Sequence, residues 1–512
     1  MRAIVLFIVL FWELSIVLPA YAAAGGGLPT LGGESFLTPS EERLVGDKIM
    51  RGIFKDPAYL DDPILGAYID SIWSPLLKAA AENGDLSEDI KAYFSQQVIL
   101  IRSREVNAFA LPGGYLGVHL GLINLVENAD EIASVLAHEL SHVTQRHISR
   151  LMSAQDKQTP LIFAGALLGV LVASKSPDAT NALVVGGHAA GLQSQLNFSR
   201  DMEREADRIG FNLLAGAGFD QGSMATMLDK LDRASSLKDA GFYPYLRSHP
   251  LTTERIADIR QRLHFKGQQK SGESSKANSM MTARAGVLVE PGVDALQGKL
   301  RGAISAANKN YSTEINVGIL YSGVMAASLL KEDEMSYVIL ERLLLSANGD
   351  AQARALGNLL GAEISLAQGR TLVAKRYLDD FVGSKQFLRP YLFLRAQVEL
   401  EIKNFADLQD YSDRIYAWLI EHPKDSLAWE WLSRLEFALN HELRALRAQA
   451  ESRAAILDAQ GALDRLQAAQ QWVRKKRSPL SPAESIDAAI IDSRAREIYS
   501  VVKLNALNDQ VK

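Results

Sequence analysis

The stretch His138-Glu139-Leu140-Ser141-His142 sets two histidines four residues apart, with a glutamate directly after the first. On a helix that step is just over one turn, so both imidazoles face one side and can reach a single metal ion. The glutamate falls beside them, where its carboxylate can take a proton from an attacking water. This is the HExxH pattern, and the chemistry it suits is zinc-assisted hydrolysis. A catalytic zinc takes three protein ligands and keeps one position open, so a third ligand is needed from elsewhere in the chain. FSRDMEREADRIG, Phe198 to Gly210, offers it. Glu203 and Asp207 lie four apart on one helical face, while Glu205 points nearly opposite, which favours Glu203 as the ligand. Read alone, this is an ordinary charged helix face. Coupled to HExxH it becomes a ligand helix, with Asp207 as the carboxylate that orients a ligand imidazole.

Elements must hold these groups. Asn128 with Glu131 three residues on makes a capping box, and Ile132, Val135, Leu136 and Val143 recur at helical spacing, predicting a helix from Ala129 to His147. Ile209, Leu213 and Leu214 continue a buried stripe behind Glu203. Upstream, Val98 to Ile101 and Tyr115 to Val118 are apolar runs of strand length, and Pro112-Gly113-Gly114 between them is turn chemistry, so a hairpin is expected. An edge strand beside a metal site can pair with an extended peptide backbone. A purely structural hairpin fits the same residues.

HExxH on one helix, ExxxD about sixty residues later on another, and EVNAFALPGGYLGVHLGLI (Glu105 to Ile123) before them resemble the gluzincin metallopeptidases grouped with the CaaX-prenyl protease and the heat-shock protease HtpX. Within that group the likeness is to the soluble periplasmic branch, the beta-barrel assembly-enhancing proteases with C-terminal tetratricopeptide repeats. The resemblance implies His138, His142 and Glu203 as ligands of one zinc ion per chain and Glu139 as general base. It also implies substrate binding along Asn107, Ala108, Phe109 and Ala110. His249, just before Pro250 and a helix predicted from about Thr252, matches a histidine that approaches the zinc in that branch. It could be a fourth ligand in a resting state, an oxyanion stabiliser in catalysis, or simply a loop histidine. His119, His147, His188, His264, His422 and His441 read as structural or surface residues.

Met1 to Ala22 has one basic residue, Arg2, then an apolar run through Leu18, and ends in Ala20-Tyr21-Ala22, which reads as a secretory signal peptide. An uncleaved N-terminal anchor is the alternative. The chain has no cysteine, so disulfides, a lipoprotein anchor and prenylation are excluded. A net charge of −5 with 47% hydrophobic residues is ordinary for a soluble globular protein and gives no nucleic-acid preference.

With 512 residues, more than one domain is expected. The division is a signal peptide over 1–22, a metallopeptidase domain over 23–265, a polar Gly/Ser-rich linker over 266–279 and a helical repeat domain over 280–512. The fold class is α+β, mainly α: a zincin-like domain with a small sheet, then an all-α repeat region. Pro423 followed by Trp429 and Leu432 matches a junction between tetratricopeptide repeats, with Gly369, Asn404 and Asn440 as inter-helix turns; the period breaks near Gly461, and a plain helical bundle is the alternative. The basic run Arg474 to Arg477 closes a helix before Ser478-Pro479, where it suits the dipole. Pro160 to Ser174 is apolar all round but short for a bilayer crossing, which needs about twenty residues. With Ala182 to Leu192 it reads as a lid or plug over the cleft, with peripheral membrane contact left open, or else as a buried core helix.

The function expected is therefore a periplasmic zinc metalloendopeptidase. Its clients would be unfolded or misassembled envelope proteins, and the repeats would engage the outer-membrane assembly machinery. The rival is a metal-binding chaperone or scaffold that acts mainly by holding clients on the repeats.

Overall fold

The computed structural model describes residues 37–153, 199–237, 245–266, 275–307, 314–381 and 385–510. The expected signal peptide, the two apolar segments Pro160 to Ser174 and Ala182 to Leu192, and residues 267–274 of the expected linker lie outside them.

The first helices are set by their caps. The Thr38 hydroxyl accepts the Glu41 N–H, and the Glu41 carboxylate in turn accepts the Thr38 N–H, opening α1 (Pro39–Ile53) with a complete capping box. The Asp62 carboxylate accepts the Leu65 N–H at 2.8 Å and opens α2 (Pro63–Glu82), with Pro63 in the first turn, where its missing N–H costs nothing. α2 buries Leu65, Ile69, Ile72 and Leu76 along one face. Short helices α3 (Glu88–Tyr93) and α4 (Leu120–Leu125) flank a four-stranded sheet.

The sheet has the order β1-β2-β4-β3, with β1 Tyr59–Leu60, β2 Gln97–Ile101, β3 Ala108–Leu111 and β4 Tyr115–His119. β2 and β4 are parallel, with Gln97 opposite Tyr115 and Ile101 opposite His119. The expected hairpin between the apolar runs around Val98 and Tyr115 is therefore corrected. The hairpin partner of β4 is β3, with Phe109 opposite Gly117. The turn Pro112–Gly114 carries φ of 73° at Gly113 and 79° at Gly114, a left-handed backbone that glycine adopts without strain. Residues 102–107 carry the chain to the far side of β4, and β3 runs back, making the return that a parallel pair demands.

α5 (Ala129–Thr144) runs behind this sheet, in contact with β3, α2 and the helices Arg200–Ala217 and Gly222–Leu237. It is buried on every side from Glu131 to Thr144. Asn128 caps it by accepting the Glu131 N–H at 2.9 Å; the Glu131 carboxylate instead accepts the Glu127 N–H and pairs with Lys230, each at 2.8 Å. The helix stops three residues short of the expected end. Gln145 caps it, Arg146 turns left-handed (φ 52°) in an ion pair with Glu42 at 2.9 Å, and His147 begins the next helix, α6 (His147–Ser153).

The helix Arg200–Ala217 lies so close to α5 that a Cβ on Gly210 would stand 3.2 Å from the backbone of Ala137 and His138. Only glycine allows that approach without displacement. Gly210→Val is accordingly expected to destabilise the chain by about 1–3 kcal/mol, read as a lowered urea midpoint at unchanged slope. An unchanged midpoint would mean that the two helices can part freely.

After Lys276 the chain is wholly helical among the described residues, from Lys276–Val289 to Pro482–Gln510. From Val293–Ala307 onward consecutive helices contact one another, while Lys276–Val289 packs on Glu314–Leu329. Gly369 (φ 70°) and Asn440 (φ 62°) stand between helices, and Asn404 caps Phe405–Glu421; Gly461 instead lies within Ala459–Lys475. One cluster of buried apolar side chains runs from Ile64 through the sheet and α5 to Val398, so the first helices of this half share a core with the sheet region. No described helix is long and apolar enough to cross a membrane.

Candidate metal centre

The four-residue step in α5 turns the Nε2 atoms of His138 and His142 to within 3.0 Å of each other. The helix Arg200–Ala217, pressed close by Gly210, brings the Glu203 carboxylate to 3.5 Å from each of them. The short helix Tyr245–Ser248 ends in His249, whose Nδ1 lies 3.0 Å from Glu203 Oε1 and 3.3 Å from His138 Nε2. Tyr245 stacks on the His249 ring at 4.5 Å between centroids. One donor atom from each of His138, His142, Glu203 and His249 falls within 4.8 Å of all the others.

The ring nitrogens of His138 and His142 that face away from this cluster are both engaged. His138 Nδ1 lies 3.0 Å from Asp207 Oδ1. Asp207 is held by Arg255, whose Nε and Nη2 donate to it at 2.6 and 2.8 Å, while Arg255 Nη1 lies 2.7 Å from Glu203. His142 Nδ1 is 2.9 Å from His147 Nδ1, and His147 Nε2 is 3.1 Å from Glu205. If His147 donates from Nε2 to that carboxylate, its Nδ1 accepts from His142, and the His142 Nε2 lone pair is left facing the cluster. The break at Arg146 makes this possible, because it turns His147 back against α5.

Burial holds His142 well below the usual imidazole range, reinforced by the His138 charge, so it is neutral at pH 7. Burial works the same way on His138, but the Asp207 and Glu203 carboxylates outweigh it and lift that pKa to about 10. Asp207 is held below the usual carboxylate range: burial opposes this, and Arg255 and His138 prevail.

Two observations fit these residues to a metal ion. Four ligands at zinc–nitrogen and zinc–oxygen bond lengths stand about 3.3 Å apart along a tetrahedral edge; the pairs of His138 with His142, His249 and Glu203, and of Glu203 with His142 and His249, stand 3.0–3.5 Å apart, and all four donors lie within 4.8 Å. Both Glu139 oxygens are buried without a hydrogen bond, with Oε1 3.4 Å from His249 Nε2. A carboxylate left so in a dry interior is costly unless it faces a charge or a reactant.

The sequence singled out His138, Glu139, His142, Glu203, Asp207 and His249, and the structure brings all six together. Asn107 precedes β3, and Ala108, Phe109 and Ala110 lie on it at the edge of the sheet, in the strand that contacts α5. Sequence reasoning missed two residues, Arg255 and His147. Arg255 stands six residues after His249 on the first turn of Thr253–Lys266, an arginine beside two predicted carboxylates. His147 was within the expected helix, and its role depends on the helix ending before it.

A ligand pair on one fully buried helix, answered by a carboxylate helix and backed by a small sheet, defines a metallopeptidase of zincin-like fold. Residues 76–263 match the model of Peptidase family M48, and over 440 residues, 85% of each chain, the sequence is 30% identical to the Beta-barrel assembly-enhancing protease of Escherichia coli (strain K12). The chain belongs to peptidase family M48. It is also 37% identical over 238 residues to the Putative beta-barrel assembly-enhancing protease of Vibrio cholerae, covering 46% of this chain and 47% of that one. The Metalloprotease LoiP of Escherichia coli is 28% identical over 165 residues, 32% of this chain and 62% of its own.

Proposed function

We propose that this chain is a periplasmic zinc-dependent metalloendopeptidase that cleaves misfolded or stalled envelope proteins during outer-membrane protein assembly. The observation that carries the chemistry is the ring of four donor atoms within 4.8 Å with an unbonded, buried glutamate beside it. The process is suggested by relatives named for beta-barrel assembly. In this reading, 1–22 is a signal peptide, 23–265 the catalytic domain, 266–279 a linker, and 280–512 a tetratricopeptide-repeat array that engages clients or assembly machinery.

His138, His142 and Glu203 would hold the zinc, with His249 as a fourth ligand in the resting state. Bound there, zinc supplies Lewis acidity that polarises a scissile carbonyl and acidifies a water. Glu139 takes the proton as that water adds to the carbonyl carbon, and delivers it to the amide nitrogen as the C–N bond breaks. His249 must move aside for substrate to enter, since His138, Glu139, His142, Glu203 and His249 are each at most 3% exposed. Once displaced, its imidazole is positioned to donate to the developing oxyanion. The edge of β3, Asn107 to Ala110, would pair with the substrate backbone.

Asp207 and Arg255 act on His138 rather than on substrate. Asp207→Asn removes the charge that fixes the His138 tautomer and leaves Arg255 half-paired, so zinc affinity is expected to fall about 10–100-fold, measured by chelator competition. Unchanged affinity would make the pair purely structural.

The closed centre favours one second reading, a chaperone-like protein that binds clients through its helical half and cleaves rarely. Elemental analysis and casein cleavage separate the two. Wild type should carry stoichiometric zinc and cleave, and Glu203→Ala should lose both. Zinc without cleavage would favour the second reading, and no zinc at all would overturn the proposal.

A further inference from the structure

The sheet has a second edge, far from the metal centre. β1 is only two residues long, because Asp61-Asp62-Pro63 turns the chain into α2. Its register covers Ile101 and Leu100 alone, so among the described residues Gln97 to Ile99 have β4 on one side and no strand on the other. The Arg102 N–H donates to Ala58 O at 2.7 Å and Leu100 stands opposite Leu60, so even-numbered residues turn their backbone groups toward β1. Gln96 O is answered by the Trp73 indole N–H at 2.8 Å. Val98, next in that series, turns its N–H and C=O to a place where no described strand continues.

That place is a cavity of about 450 Å³, within the size of ligand sites, ~300–1,000 Å³. One wall is β2, the floor is the stripe Gly66, Asp70, Trp73 and Leu77 of α2, and the opposite wall comes from helices after Gln386. Its charge is unbalanced. Arg389 serves both Asp61 and Asp425 with bidentate bonds of 2.8–2.9 Å, and Asp62 is taken by Arg284. Asp70 lines the cavity without a hydrogen bond or ion pair among the described residues. With Lys424 at the rim, three carboxylates (Asp61, Asp70, Asp425) face two cations (Arg389, Lys424).

We infer that this cavity is a second peptide-binding site, in which an extended segment of a client polypeptide adds to the free edge of β2 at Val98 and places a basic side chain on Asp70. Main-chain pairing supplies affinity with little sequence preference, and the carboxylate supplies the choice of a lysine or arginine. The Asp70 side chain is exposed to the cavity, so an incoming cation can reach it without displacing another partner. The site lies across the sheet from β3, about three strand spacings or ~14 Å away. A client held there is anchored apart from the bond being cut.

The test uses the full chain carrying Glu139→Gln and reads binding alone, so failure of the peptidase reading leaves it intact. The probe is a fluorescein-labelled octapeptide of alternating valine and threonine with one central lysine, followed by anisotropy. Asp70→Lys, or lysine replaced by glutamate in the probe, is expected to weaken binding at least about tenfold. N-methylation of alternate probe amides is expected to do the same, and hydrogen exchange at Val98 should slow when the probe binds. Binding that survives Asp70→Lys, equal binding of the N-methylated probe, protection confined to Ala108–Leu111, or no binding at all would each overturn the inference.

Discussion

Glu139→Gln is expected to slow casein cleavage by about 10²–10⁴-fold, while the chain keeps its bound metal and unfolds no more easily than wild type. The glutamate is fully buried on α5, and neither of its oxygens has a hydrogen-bond partner. It contributes nothing to packing that an isosteric amide would not, so the substitution removes only the proton acceptor and a negative charge. With no hydrogen bond from Glu139 to the scaffold, the fold has none to lose. The paired readout is what makes the result specific. A variant that lost the metal or melted early would place Glu139 in the scaffold, and one that cleaved within tenfold of wild type would place the base elsewhere.

The metal centre was legible to the extent that its chemistry is local. His138 and His142 are separated by one turn of one helix, and Glu203 and Asp207 by one turn of another, so spacing alone aligns each pair. Their meeting depends on Gly210, whose missing side chain lets the helices touch, and a glycine in a charged helix does not announce that in sequence. His147 escaped because a helix pattern continued through it, and the stop at Arg146 is a tertiary event, held by Glu42 from α1. Arg255 escaped for a related reason: nothing in sequence tells a ligand-orienting arginine from a solvated one. The sheet shows the same limit. Apolar runs of strand length identified the strands near Val98 and Tyr115, but β3 between them is four residues with two alanines, and strand order follows from pairing across distance. The helical half was legible as helices, through Asn404 and Gly369, yet its shared core with the sheet region has no local signature.

That shared core contains a charged fastener, and Arg284→Met is expected to destabilise the chain by about 3–5 kcal/mol in urea unfolding. Arg284 lies on the helix Lys276–Val289 and is 2% exposed. Its Nε and Nη2 donate to Asp62 at 2.7–2.9 Å, and Nη1 and Nη2 donate to Glu363 at 2.8 Å. The two carboxylates hold the guanidinium charged well above its usual range, against burial that works the other way. Asp62 is itself buried and caps α2, the helix on which α5 and Arg200–Ala217 both pack. Losing Arg284 strands that carboxylate in the core. Glu363 is different, because its side chain is 38% exposed and water can replace the arginine. Glu363→Gln should therefore cost only about 0–1 kcal/mol. The double variant Asp62→Asn with Arg284→Met removes both charges together and should recover part of the loss, since the penalty comes from the unpaired ion rather than the missing bond. If Arg284→Met cost no more than Glu363→Gln, water would have to reach Asp62. The junction between the catalytic core and the helical half would then be looser than its packing indicates.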